Sequence, residues 1–254
     1  MNFNFSWEKS ETIYNNLESK KKSLPKFYDF YNLSNDFQNV YEPAEDTFLL
    51  IDSILNDINY LKKNNYFIKN KEIISIEIGC GNGLISCCYL NLLKELNINI
   101  NSHYCIDINK DAVNLTKKLI NNYNLNNNTY FIESDLFNNN ILINKLFNII
   151  IFNPPYVTTD EKEYKKSLNN KDIYASWAGG KNGSETIYKF IEQIKNHINK
   201  DNGIIYLLLS KENEYENIIK KIYDEIGFDF ELLMKRKAIN EKLAVFKFYN
   251  KNKY

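Results

Sequence analysis

Residues 147–156 read Phe-Asn-Ile-Ile-Ile-Phe-Asn-Pro-Pro-Tyr. Four consecutive apolar residues, Ile149–Phe152, suit a strand buried on both faces of a parallel sheet. Pro154 and Pro155 then stop the ladder, because proline has no N–H and a fixed φ. Asn153 is thereby placed at the carboxyl end of a central strand, where open α/β sheets bind ligands. The corner has chemistry of its own. The Asn153 side-chain oxygen and the Pro154 carbonyl are both acceptors, and Pro155 keeps the turn rigid. Two convergent acceptors match one planar –NH2 group, and the Tyr156 ring can lie against the flat group that carries it. Asn153, Pro154, Pro155 and Tyr156 are therefore the catalytic candidates. The plain alternative is a rigid strand-ending turn.

Upstream, Glu72–Ile78 reads as a first strand, followed by Gly79, Gly81 and Gly83 and a helix over Leu84–Leu96. Strand, glycine loop and helix form the nucleotide-binding arrangement. A tight turn is the alternative. Further strands are expected over His103–Ile108, Thr129–Glu133, Gly203–Leu209, Phe228–Met234 and Leu243–Tyr249, with helices over Asp111–Asn121, Gly183–Asn199 and Lys211–Ile226. Asn109 suits an N-cap and Gly227 a helix stop. A helix from Val40 to Leu61 carries Pro43 and acids in its first turn, with Phe48, Ile51, Leu55 and Ile58 as its apolar stripe. Tyr60–Lys71 and Val157–Asn182 read as loops.

The stretches EIGCGNG (Glu77–Gly83) and NPPY (Asn153–Tyr156) together resemble an S-adenosylmethionine-dependent methyltransferase of the amino-methylating type. The segments VYEPAEDTFLL (Val40–Leu50) and SWAGGKNG (Ser176–Gly183) narrow the resemblance. They are similar to the eukaryotic and archaeal branch of the HemK family, which methylates the glutamine of the GGQ motif in translation release factors. The resemblance spans about Val40–Tyr249.

Several expectations follow from it. The fold is an α/β Rossmann-like class I methyltransferase, with a seven-stranded, mostly parallel sheet of order 3-2-1-4-5-7-6 and helices on both faces. Residues 40–254 form the methyltransferase domain, after a variable N-terminal extension of residues 1–39. The cofactor is S-adenosyl-L-methionine. Thr47 closes over it, and Glu77 meets its cationic methionine end. The backbone of Gly79 and Gly81 lies along the methionine and ribose, and Asn153 is a further contact. Asp107, with Ile108 beside it, grips the ribose hydroxyls, unless it is a plain helix-start residue. Asp135 takes the adenine amino group and a backbone N–H near Leu136 a ring nitrogen, unless Asp135 is a turn aspartate. Trp177 either walls the substrate or anchors its loop. A small zinc-binding activator subunit covers the edge strand as a heterodimer, and a release factor is the protein substrate.

Composition agrees with a folded enzyme and supplies exclusions. Apolar residues make up 44% of 254, enough for one α/β domain with a core. Lys plus Arg and Asp plus Glu are 32 each, so no global basic field points to nucleic acid. This weighs against adenine-N6 methylation of nucleic acid, the runner-up, beside lysine methylation of a protein or a non-enzymatic cofactor scaffold. Cys80, Cys87, Cys88 and Cys105 form no C-x-x-C pair, and only two histidines occur, so no metal site is expected in this chain. The cysteines read as reduced structural thiols. No apolar run is long enough for a bilayer, and the start lacks a signal-peptide core, which points to the cytoplasm with nuclear entry open. A helix over Glu8–Lys22 in the extension is a further expectation.

Overall fold

A computed structural model of the chain describes residue 27, residues 29–31, residues 35–237 and residues 241–251. The expected Glu8–Lys22 helix lies outside these residues. The described elements run α1 (Glu45–Lys63), α2 (Tyr66–Lys69), β1 (Ile74–Ile78), α3 (Leu84–Glu95), β2 (Ser102–Asp107), α4 (Lys110–Asn122), β3 (Thr129–Glu133) and β4 (Ile149–Phe152). They continue with α5 (Glu161–Asn170), α6 (Glu185–Ile194), β5 (Ile204–Ser210), α7 (Tyr215–Ile226), β6 (Asp229–Lys237) and β7 (Lys242–Tyr249).

The seven strands form one sheet of order β3-β2-β1-β4-β5-β7-β6, as the resemblance implies. β1 to β5 pair in parallel, and β7 runs antiparallel to both β5 and β6. Every residue of β4 and β5 is buried. Alternation splits them between two cores. Ile149, Ile151, Ile204 and Tyr206 face the core beneath α1, α3 and α4. Ile150, Phe152, Ile205 and Leu207 face the one beneath α6 and α7. Both faces need apolar side chains, which is why these strands read as continuous apolar runs.

Several boundaries differ from the sequence reading, each for a local reason. Pro43 precedes the helix instead of sitting in its first turn, since Ala44 is the N-cap and α1 starts at Glu45. The buried stripe of α1 is Leu50, Ile51, Ile54, Ile58 and Leu61, whereas Phe48 and Leu55 stand at its edge. The segment expected as a loop after Tyr60 holds the end of α1 and the short α2. The predicted Lys211–Ile226 helix breaks at Glu214, whose φ of 53° divides a 3-10 turn from α7. The predicted Gly183–Asn199 helix is confined to Glu185–Ile194. The long polar loop contains α5, capped by Asp160, whose side chain accepts from Glu163 N–H at 2.7 Å. With only Tyr164 and Ser167 buried, α5 has no apolar stripe to betray it.

Among the described residues of the N-terminal extension, Phe27 and Tyr31 belong to the core. Phe27 packs edge-on against Tyr123 with centroids 4.6 Å apart, and the buried Tyr31 donates its hydroxyl to the Asn82 carbonyl at 3.0 Å.

A buried ion pair fastens α1 to the strands beneath it, β5 and β7. Lys247 Nζ on β7 lies 2.9 Å from Asp57 Oδ1, and the Tyr206 hydroxyl donates to Asp57 Oδ2 at 2.7 Å. Removing one partner of such a pair strands the other charge. Asp57→Ala is expected to cost about 3–5 kcal/mol in urea unfolding, with Asp57→Leu plus Lys247→Met recovering most of it. Equal losses in the two variants would show that the charge is not the cause.

Candidate active site

The carboxyl ends of β1, β2, β3 and β4 open onto one cleft. The rule that open sheets bind ligands at these ends explains its place. Thr47, Glu77, Gly79, Gly81, Asp107, Ile108, Asp135, Leu136 and Asn153 all line it, from five separate segments of chain. Pro155 lines it too, while Pro154 is buried beneath the corner.

Asn153 is held in one orientation. Its Nδ2 donates to Asp46 Oδ2 at 3.0 Å, and Asp46 Oδ1 accepts from the Thr47 N–H at 2.7 Å. A carboxylate accepts and cannot donate, so it fixes the amide with Oδ1 turned the other way. Asn153 Oδ1 is buried and has no hydrogen-bond partner among the described residues. An unsatisfied buried acceptor costs about 1–3 kcal/mol, and it is the sort of group a ligand N–H completes.

The glycine loop is built on close approach. A Cβ on Gly83, at φ +86°, would sit 2.8 Å from the Thr116 Cα on α4. Below the loop, Asp107 is used by the backbone, with Oδ2 accepting from Gly81 N–H at 2.9 Å and Oδ1 from Asn109 N–H at 2.8 Å. Burial pushes its carboxyl up to about 6 against these donors. At the other end, Leu136 takes a positive φ of 50°, and the Ser134 hydroxyl donates to its carbonyl at 2.7 Å. A non-glycine residue in this region is strained and is held there by its surroundings.

Among known proteins, residues 58–170 match the family described as Methyltransferase small domain. The chain is 32% identical over 219 residues to the eRF1 methyltransferase catalytic subunit mtq2 of Schizosaccharomyces pombe, covering 84% of this chain and 90% of that one. It is 30% identical over 213 residues to human Methyltransferase HEMK2, with the same two coverages. The chain belongs to the HemK family of methyltransferases. A solved complex of E. cuniculi Mtq2 with Trm112, which methylates the eRF1 termination factor, shares the fold, with a TM-score of 0.54 at 22% identity over 83% of this chain and 98% of that one.

In this HemK-family chain, the Asn-Pro-Pro-Tyr corner is braced from behind. Asn213, after β5, donates through Nδ2 to the carbonyls of Tyr156, Asn182 and Gly183 at 2.9, 3.1 and 3.1 Å. A Cβ on Gly183 would lie 2.0 Å from the Tyr156 carbonyl oxygen, so the Ser176–Gly183 segment reaches the corner only as glycine. Val157 N–H donates to the Trp177 carbonyl at 2.9 Å, and Gly179 N–H to the Val157 carbonyl at 2.8 Å.

Two aromatic candidates stand outside the cleft lining. Trp177 lies outside the cleft lining and packs at 5.0 Å against Tyr174, while Leu168, Asp172, Ile173, Ala175 and Ser176 supply the loop's share of the wall. Tyr156 is also outside the lining, and its hydroxyl donates to Glu241 Oε2 at 3.0 Å. Burial, with Asp46 and Glu241 near, pushes that phenol far above its usual range. Asp46 and Asn213 were not singled out by the sequence as site residues.

Asp46→Asn keeps the shape of the Asp46 side chain and removes its single sign. The Asn153 amide can then face either way, and kcat is expected to fall about 10²-fold with the melting temperature little changed. Unaltered kcat in steady-state assays would show that Asp46 does not orient Asn153.

Proposed function

We propose that this methyltransferase takes its methyl group from S-adenosyl-L-methionine and places it on the N5 nitrogen of the GGQ glutamine of a translation release factor. One observation carries the reading: the buried, unpartnered Oδ1 of Asn153 in a cleft at the carboxyl ends of the strands. The names of the Schizosaccharomyces pombe and E. cuniculi relatives, both tied to eRF1, support the substrate class.

The residues suit the cofactor. Glu77 supplies a carboxylate for the cationic methionine end, beside the backbone of Gly79 and Gly81. Asp107, next to Ile108, keeps acceptor capacity beyond its two backbone N–H donors, which fits ribose hydroxyls. Asp135 and Leu136 line the same cleft and suit the adenine edge, and Thr47 lines it as well. When bound, S-adenosyl-L-methionine supplies an electrophilic methyl on a sulfonium sulfur.

The chain's own work is positional. Asn153 Oδ1 accepts one N–H of the glutamine amide and the Pro154 carbonyl the other, which directs the nitrogen's remaining face along one line. Pro155 keeps the two acceptors convergent. Tyr156, tied to Glu241, steadies the corner and flanks the acceptor. The nitrogen gains the methyl and then gives up a proton to solvent, so no strong base is required. Holding the reactants in line accounts for most of the rate.

Asn153→Ala is expected to cut release-factor methylation by about 10²–10³-fold, read by peptide mass spectrometry, with cofactor affinity nearly kept. Loss of both together would make Asn153 structural, and persistent transfer would remove it from the mechanism.

A small zinc-binding subunit is the proposed partner, at the β3 edge. Tyr130, Ile141, Ile143 and Leu146 are about half exposed there, from 48% to 57%. An open edge strand with apolar neighbours invites pairing. Among the described residues no group of three His, Cys, Asp or Glu is placed to hold a metal. In this reading the zinc is the partner's own. No helix among the described residues is long and apolar enough to cross a membrane. A release-factor substrate favours the cytoplasm, with nuclear entry open. Expressed alone, the chain is expected to be poorly soluble, and Ile143→Asp to abolish co-purification with the partner. A soluble, fully active lone chain would contradict this.

A further inference from the structure

Behind Glu77 lies a chain of buried polar groups that the reaction does not call on. Ser75, Glu77, Ser86, His103 and Cys105 are each at most 1% exposed. Ser75 Oγ lies 2.8 Å from His103 Nδ1, and His103 Nε2 lies 2.7 Å from Ser86 Oγ. Ser86 Oγ in turn donates to Glu77 Oε2, and the Cys105 thiol donates to Ser86 Oγ at 3.4 Å. β1, α3 and β2 each contribute, and of the four side chains joined in series only Glu77 reaches the cleft.

The donors and acceptors permit one direction when Glu77 is charged. Burial pushes His103 down to about 3, so the ring is neutral and carries one N–H. Burial also holds the Cys105 thiol protonated. A hydroxyl has one hydrogen and two lone pairs. The Cys105 S–H and the imidazole Nε2–H occupy both lone pairs of Ser86, which commits its own hydrogen to Glu77. His103 Nδ1 is then the acceptor for Ser75. If Glu77 takes up a proton, the order reverses: Glu77 donates to Ser86, Ser86 to Nε2, and Nδ1–H to Ser75.

We propose that Ser86 and His103 are positioning residues of the cofactor site, a buried relay that feeds a hydrogen bond into Glu77 and, against burial, favours its ionised form toward the cationic end of S-adenosyl-L-methionine. The inference rests on the reading of the cleft as the site of that cofactor. A carboxylate with no donor behind it, in so buried a place, takes a proton in preference to a charge.

The electrostatics agree with the geometry. Burial pushes Glu77 up to about 8, and the hydrogen bonds from Ser86 pull against it. Asp107 on β2 is the facing carboxylate, at about 6. The other ionisable groups near Glu77 are Cys80 of the glycine loop, Cys88 on α3, Cys105 on β2 and Tyr31 of the extension, all pushed upward and so neutral. A cation in the cleft favours the ionised acid, so affinity rises with pH up to about 8 and levels above it.

The test is calorimetric titration of the full chain with S-adenosyl-L-methionine between about pH 6 and about pH 9, on wild type and Ser86→Ala. The variant's profile is expected to move to higher pH, with affinity about tenfold lower at neutral pH and the gap closing as pH rises. A wild-type profile in the variant, or the same loss at every pH, overturns the relay. Failure of the wild type to bind at any pH would instead remove the cofactor reading. On the unaltered protein, ¹⁵N resonances of His103 are expected to show the Nε2–H tautomer with cofactor bound. An Nδ1–H ring in that state contradicts the proposal without any substitution.

Discussion

One hydrogen bond, from Asn153 Nδ2 to Asp46 Oδ2 at 3.0 Å, joins the end of the central strand β4 to the first turn of α1. It decides which end of the carboxamide is left for a ligand. Everything that fixes α1 therefore acts on the acceptor corner. Arg236 on β6 bonds Glu45 at 2.8 Å and Asp52 at 3.1 Å, on either side of Asp46. Lys247 on β7 holds Asp57, further along the same helix. The last hairpin of the chain thus sets the angle of a carboxylate near its start. The same hairpin meets the corner directly through Tyr156 and Glu241.

The sheet order makes this economy possible. β1 and β4 are neighbours, so the glycine loop and the Asn-Pro-Pro-Tyr corner emerge side by side. The loop delivers backbone and Glu77, and the corner delivers two acceptors. A group bound by the first is brought to a group bound by the second without a moving part. The chain stiffens both halves from behind, with Thr116 packed on the loop and Asn213 gathering three carbonyls beneath the corner. Rigid placement of this kind is what a displacement lacking a strong base requires.

Much of this was legible because burial leaves few choices. β4 and β5, buried on both faces, had to be apolar runs, and the prolines had to end the first of them. Gly83 needed a residue without Cβ, and Asp107 fell at the end of a recognisable second strand. What stayed hidden had a sufficient local explanation. Asp46 reads as an ordinary acid in a helix's first turn, so its tertiary bond to Asn153 was invisible. Asn213 was lost among the many asparagines that fill the loops of this chain. α5 carries no apolar face, and Tyr156 looked like a free aromatic because Glu241 lies 85 residues away. His103 and Ser86 sit in segments that read as plain core, and only the packing of β2 against β1 and α3 makes a chain of them.

The most direct measurement is a crystal structure of the chain with S-adenosylhomocysteine and a glutamine peptide bound. The account predicts the glutamine amide nitrogen hydrogen-bonded to Asn153 Oδ1, about 3–3.5 Å from where the methyl carbon would stand and in line with the sulfur. A peptide amide bound away from residue 153, or a sulfur facing another wall of the cleft, would contradict it.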